Sequence, residues 1–123
     1  MKRWLLGAAL IAASFVLSGC TADEILFFDS VTAPTRDALS YDQLYALRVC
    51  ESSDNYQAIS WGGVYRGGYQ FDFHTWDDVA SRHFAWLVGI DPVAAEPYWQ
   101  DAMARALFSE RGRQPWPVCG RRI

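Results

Sequence analysis

Glu51 is the side chain in this sequence best placed to do chemistry. Upstream of it, Ser40-Tyr41-Asp42-Gln43 reads as a capping box, with Ser at N-cap and Gln at N3. The helix it opens has apolar positions at Leu44, Leu47 and Cys50, with Tyr41 and Tyr45 alongside, a pattern that predicts a buried face. Glu51 then falls in the last turn. A helix C-terminus carries partial negative charge and disfavours an ionised carboxylate there. Nearby aromatic rings that exclude water push the same way. Both effects keep the carboxyl protonated and able to donate, as a general acid must. Without its surroundings, Glu51 would read as a solvated surface carboxylate.

The following elements must position that group. Ser53-Asp54-Asn55 are turn formers that should break the helix. Gln57 to Phe71 is rich in Gly and aromatics, and Gly62-Gly63 signals a short, irregular β-hairpin. Gly67-Gly68 marks a bulge, or a place where a ligand or backbone comes close. Asp72 is the N-cap of a helix expected over 73–83, with Trp76, Val79 and Ala80 on its apolar side. His74 and His83 lie nine apart with no suitable Cys nearby, so no metal site is expected. A loop or short turns follow from Phe84, with Asp91-Pro92 and Glu96-Pro97 as helix starts. The last helix spans 97–111, burying Trp99, Ala102, Met103, Ala106 and Leu107, and Gly112 stops it.

These blocks resemble the catalytic domain of resuscitation-promoting factors and their transglycosylase-like relatives. The resemblance is carried by Cys50-Glu51-Ser52 with Asn55-Tyr56, then Gly63-Val64-Tyr65-Arg66-Gly67-Gly68-Tyr69-Gln70-Phe71-Asp72 with Thr75-Trp76, then Trp116-Pro117-Val118-Cys119-Gly120. It runs from about Leu44 to Gly120. It implies an α+β, small lysozyme-like domain, mainly helical with a short β-hairpin and one disulfide, Cys50–Cys119. It also implies cleavage of the β-1,4 linkage between N-acetylmuramic acid and N-acetylglucosamine in peptidoglycan, with no cofactor. Carried over by position, Glu51 is the catalytic acid and Thr75 a substrate contact, while Gln70, Tyr65 and Trp76 line or shape the groove.

The sequence departs from the family pattern in three places. Arg111 stands where the family often has Gln before the Gly ending the last helix, Ser53-Asp54 replaces Gly-Gly, and Tyr56 replaces Trp. No second carboxylate is evident: Asp54 reads as a turn former and Asp72 as a cap. A two-carboxylate glycosidase needs a nucleophile about 5 Å, or a base roughly 6.5–9.5 Å, from its acid. A lytic transglycosylase avoids that need, because the substrate's N-acetyl group assists departure and its 6-hydroxyl attacks. Hydrolysis of the same bond is the near alternative. A wall-binding lipoprotein without turnover is the reading from another class.

The N-terminal end reads as an export signal. Met1-Lys2-Arg3 is a basic start and Trp4 to Val16 an apolar run, short against the roughly 20 residues of a membrane span. Leu17-Ser18-Gly19-Cys20 looks like a bacterial lipobox, which assigns 1–19 to a signal peptide and Cys20 to lipidation. An ordinary signal peptide or an uncleaved anchor is the alternative. Acylation would hold the chain on the outer face of the cell membrane, facing the wall. Lipidation of Cys20 leaves Cys50 and Cys119 to pair in an oxidising compartment, as the resemblance also implies. Residues 20–39 read as a tether with no sustained period, although Glu24 to Phe28 could pack back, and 40–123 as the catalytic domain.

At 123 residues there is room for one domain. An aromatic share of 15 %, with six Trp, favours a folded chain and suits a carbohydrate cleft. Loss of Lys2 and Arg3 would lower the net charge of −3 further and leave only scattered Arg, a poor footprint for nucleic acid. A monomer is expected, and partnership with other wall-degrading enzymes is left open.

Overall fold

The computed structural model describes residues 19–123, so the expected leader lies, apart from Gly19, outside the described residues. Four α-helices carry the domain: α1 (Ala22–Thr32), α2 (Tyr41–Ser52), α3 (Phe73–His83) and α4 (Pro97–Arg111). Short 3-10 turns lie at Ala33–Thr35, Ala85–Leu87, Pro92–Ala94 and Cys119–Arg122. Local chemistry sets most of these bounds. Ser40 accepts from the Gln43 amide while the Gln43 side chain accepts from the Ser40 amide, closing the expected box at the start of α2. A cap of this kind contributes about 1 kcal/mol. Asp72 caps α3 through the Thr75 amide at 2.7 Å, and Pro97 opens α4 at N1.

The core forms where α2, α3 and α4 meet the 67–71 loop and the C-terminal tail. Leu44 and Leu47 come from α2, Trp76 and Val79 from α3, Met103 and Leu107 from α4, and all are buried. Trp116 packs from the tail and Phe71 from the loop, their rings edge-on at 6.4 Å. Each large apolar side chain buried this way contributes roughly 1.5–3 kcal/mol. Tyr41 and Tyr45, expected on the buried face of α2, instead stand 78 % and 55 % exposed. Arg105 lies over Tyr41 and Arg48 beside Tyr45, so the two rings serve as platforms for guanidinium groups.

One further expectation is corrected. The stretch read as a non-periodic tether holds α1, opened by a capping box between Thr21 and Glu24. Its Phe28 packs edge-on against Tyr98 and Trp99 of α4, at 5.3 and 5.0 Å between ring centres, so Glu24 to Phe28 does return to the domain. The 57–71 segment shows two isolated antiparallel bridges, Ile59 with Arg66 and Arg66 with Phe71, and no extended strand. Its backbone is occupied elsewhere. The Asn55 side chain accepts from the Gln57 amide, the Ser60 hydroxyl accepts from the Tyr65 amide, and the buried Gln100 accepts from the Gly68 amide. A ladder cannot propagate through groups already bonded to side chains. Among the described residues no helix is long and apolar enough to cross a membrane.

Candidate active site

α2 ends by turning left-handed. Ser53 and Asp54 have φ of 56° and 59°, and their amides return to the carbonyls of Val49 and Arg48, both at 3.1 Å. This sharp stop leaves Glu51 at the helix end, half-buried. Next to it, Cys50 is bridged to Cys119, which draws the C-terminal tail alongside α2. Trp116 fixes the tail from within by donating its indole N–H to the Tyr69 carbonyl at 3.1 Å.

Between these elements lies a groove of about 300 Å³, lined by Glu51, Tyr65, Gln70 and the tail from Pro115 to Cys119. A smaller depression of about 110 Å³ adjoins it and adds Asp72, Thr75 and Arg111. Both are lined by Tyr65, Gln70, Pro115 and Trp116, so they form one continuous surface. The structure thereby brings Glu51, Tyr65, Gln70, Thr75 and Arg111 to one place. It does not bring Trp76 there. That side chain has no exposed surface, and its indole N–H is held by the Leu87 carbonyl at 3.0 Å. Trp76 supports Phe71 edge-on at 5.2 Å, shaping the wall without reaching a ligand.

Burial is the one cause that shifts Glu51, and it raises the carboxyl above its ordinary value. Among the described residues no opposing charge holds it ionised. Asp72, the other carboxylate on this surface, is committed: its oxygens accept from the Thr75 amide and from the Thr75 hydroxyl, at 2.7 and 2.8 Å. Thr75 is therefore left to accept from a ligand rather than to donate. Arg111 is steered by Asp78, which accepts from its guanidinium at 2.6 Å. Gln70 sits at φ 54°, a left-handed conformation costing about 1–2 kcal/mol, with its amide N–H2 held by the Gly67 carbonyl at 2.9 Å.

Several supporting residues escaped the sequence reading. Ser52, beside the acid, donates to the Gly68 carbonyl at 2.8 Å and so ties the end of α2 to the loop bearing Gln70. Gln100 is wholly buried and satisfies Gly68, Tyr56 and Ala95 at once. It explains Gly67, where a Cβ would lie 2.6 Å from the side-chain Oε1 of Gln100. The close approach at these glycines is thus made by the protein itself. Pro115 and Val118 line the groove with no polar signal that could have marked them.

The model for the transglycosylase-like domain family matches residues 37–119, which include every element of this surface. The chain belongs to the transglycosylase-like domain family. Among its relatives is the resuscitation-promoting factor RpfC of Mycobacterium tuberculosis, 32 % identical over 115 residues. That match covers 94 % of this chain and 66 % of the relative. The resuscitation-promoting factor RpfB of Mycolicibacterium smegmatis is 36 % identical over 78 residues, covering 63 % of this chain and 20 % of the relative. RpfA of M. tuberculosis is 36 % identical over 72 residues, covering 58 % of this chain and 16 % of the relative. The transglycosylase-like chain thus spans less than two thirds of the length of these curated relatives. No solved structure gives a significant match.

Proposed function

We propose that this transglycosylase-like domain cleaves peptidoglycan glycan strands at the β-1,4 linkage between N-acetylmuramic acid and N-acetylglucosamine, with Glu51 as the single acid and base. The observation that carries the reading is the placement of Glu51: a half-buried carboxyl, raised by desolvation alone, lining a groove deep enough to seat a sugar. A neutral carboxyl at that point donates its proton to the glycosidic oxygen as the C1–O bond breaks. The substrate's own N-acetyl oxygen closes on C1 and carries the positive charge. Glu51, now ionised, takes the proton of the muramic 6-hydroxyl as that oxygen attacks C1, giving a 1,6-anhydro end and restoring the acid. Thr75, Gln70, Tyr65 and Arg111 contact the sugars.

The commitment of Asp72 to Thr75 supports a one-carboxylate route over a hydrolytic pair. Hydrolysis would leave reducing ends instead. The localisation proposed with this activity is the outer face of the cell membrane, through a lipid on Cys20, with the domain acting on the wall as a monomer. The test uses purified wall and the Glu51→Gln variant. Mass spectrometry of the released muropeptides should show anhydro-muramic ends from the native chain. The variant should release almost none while still binding wall. Unchanged release by Glu51→Gln would remove the enzymatic reading and leave a wall-binding lipoprotein.

A further inference from the structure

A second cavity has no lining residue in common with the Glu51 groove. It measures about 770 Å³ and is lined chiefly by Cys20, Phe27, Phe28, Trp86, Tyr98 and Trp99. Its rings brace one another: Phe27 on Trp86 at 5.1 Å, Trp86 on Trp99 at 5.3 Å and Phe28 on Trp99 at 5.0 Å. The groove is therefore preformed. Around it the surface continues apolar, with Leu26 65 % and Ile25 52 % exposed on α1, and Val88 and Ile90 exposed beyond Trp86. Solvent-facing apolar groups in such number call for a partner.

The chain indicates which partner. Eighteen residues precede the described ones, and they lead into Gly19 and Cys20, which themselves line this groove. Trp4 to Val16 is a continuous apolar run. With the proposed lipidation, acyl chains on the Cys20 thiol bring hydrocarbon to the domain at this groove, as an uncleaved apolar run would. Trp and Tyr favour the membrane–water boundary, where an apolar ring meets a wet edge. The ionisable side chains lining the groove besides Cys20 and Tyr98 are Glu24 and Glu96, so nothing there attracts anionic headgroups.

We propose that this face is where the domain rests on the membrane, the aromatic groove taking up hydrocarbon from the outer leaflet of the lipid bilayer. This rests on the proposed membrane attachment and is independent of catalysis. Because α1 is packed on α4, the domain lies directly against the bilayer instead of roaming on a flexible tether. Its reach is then confined to the wall strands nearest the membrane.

The test uses the full chain, as exported, in phosphatidylcholine vesicles containing lipids spin-labelled along their acyl chains. An environment-sensitive fluorescent amino acid is placed at Leu26, and in a second sample at Trp61, a fully exposed turn residue that lines neither groove. Flotation of the same samples reports attachment. The chain should float, with quenching severalfold greater at position 26 than at 61, unaltered by high salt or by added anionic lipid. Flotation with equal quenching at both positions would overturn the membrane face and leave attachment standing. Failure to float would overturn both. A position 26 that is shielded but unquenched would also overturn it. If that shielding depended on protein concentration, a second copy occupies the groove; if not, the apolar N-terminal run does.

Discussion

The Glu51 carboxyl is disfavoured when ionised because burial strips its water and no cation replaces it. Its folded pKa therefore lies above its unfolded one. The sign follows: the destabilisation is absent below the unfolded value, sets in as pH rises, and is complete above the folded value. Glu51→Gln should therefore melt at a higher temperature than the native chain at pH 7, the gap closing as pH falls towards 4.5 and absent below it. Thermal melts across that range check it, and a gap that persisted at low pH would assign the gain to packing. Ser53 supplies a second case. At φ 56° it holds a conformation costing about 1–2 kcal/mol for a residue with a Cβ, in the place where the family pattern has Gly. Ser53→Gly should gain about 0.5–1 kcal/mol after the extra chain entropy of Gly is subtracted, raising Tm by a few degrees. The same change at Asp54 should not, because that carboxylate holds Arg48 at 2.8 Å.

At the scale of elements, what was readable in the sequence was what neighbours in sequence decide. The bounds of α3 and α4 follow from Asp72, Pro97 and Gly112, each acting within a turn of itself. The start of α1 was equally local, in Thr21 and Glu24, but its apolar residues keep no sustained helical period, which masked the Phe28–Thr32 side that faces the domain. Only isolated antiparallel bridges mark the expected hairpin, and part of what holds the segment comes from distant residues that sequence neighbours do not reveal. Gln100 is the clearest of them: 32 positions from Gly68, it looks in sequence like a polar residue on the wet side of a helix. Its loss should matter twice. Gln100→Leu leaves the Gly68 amide and two carbonyls buried without partners, at about 1–3 kcal/mol for each group that water cannot reach. Urea unfolding should show a drop of about 3 kcal/mol or more. The variant's remaining folded fraction should cleave wall with a raised KM, since Gln70 and Ser52 both depend on the 67–70 loop. A fall in stability with an unaltered KM would show that the groove does not depend on Gln100.

The whole molecule is closed by one covalent link. Cys50 and Cys119 are 69 positions apart, and joining them removes much of the freedom of the unfolded chain, worth about 4 kcal/mol in the chain-entropy model. The sequence made this pair legible by cysteine count together with the family resemblance. The same link ties the tail across α2, and Pro115 to Cys119 then form one wall of the Glu51 groove. The link therefore has a local effect beyond its global one. Trp116 is buried and bonded to Tyr69, so the inner part of the tail is anchored twice, whereas Val118 is 72 % exposed and depends on the bridge. Replacing both cysteines with Ala should lower stability by about 4 kcal/mol, read by denaturant unfolding. Below the onset of that unfolding, wall cleavage should already be reduced severalfold, because loss of the outer wall re-admits water to Glu51 and lowers its pKa toward the ordinary value. The descending limb of the pH–rate profile, which reports the protonated acid, should move to lower pH in the double variant. A bridge that only stabilised the fold would leave that limb where it is, and the contrast separates support of the site from support of the chain.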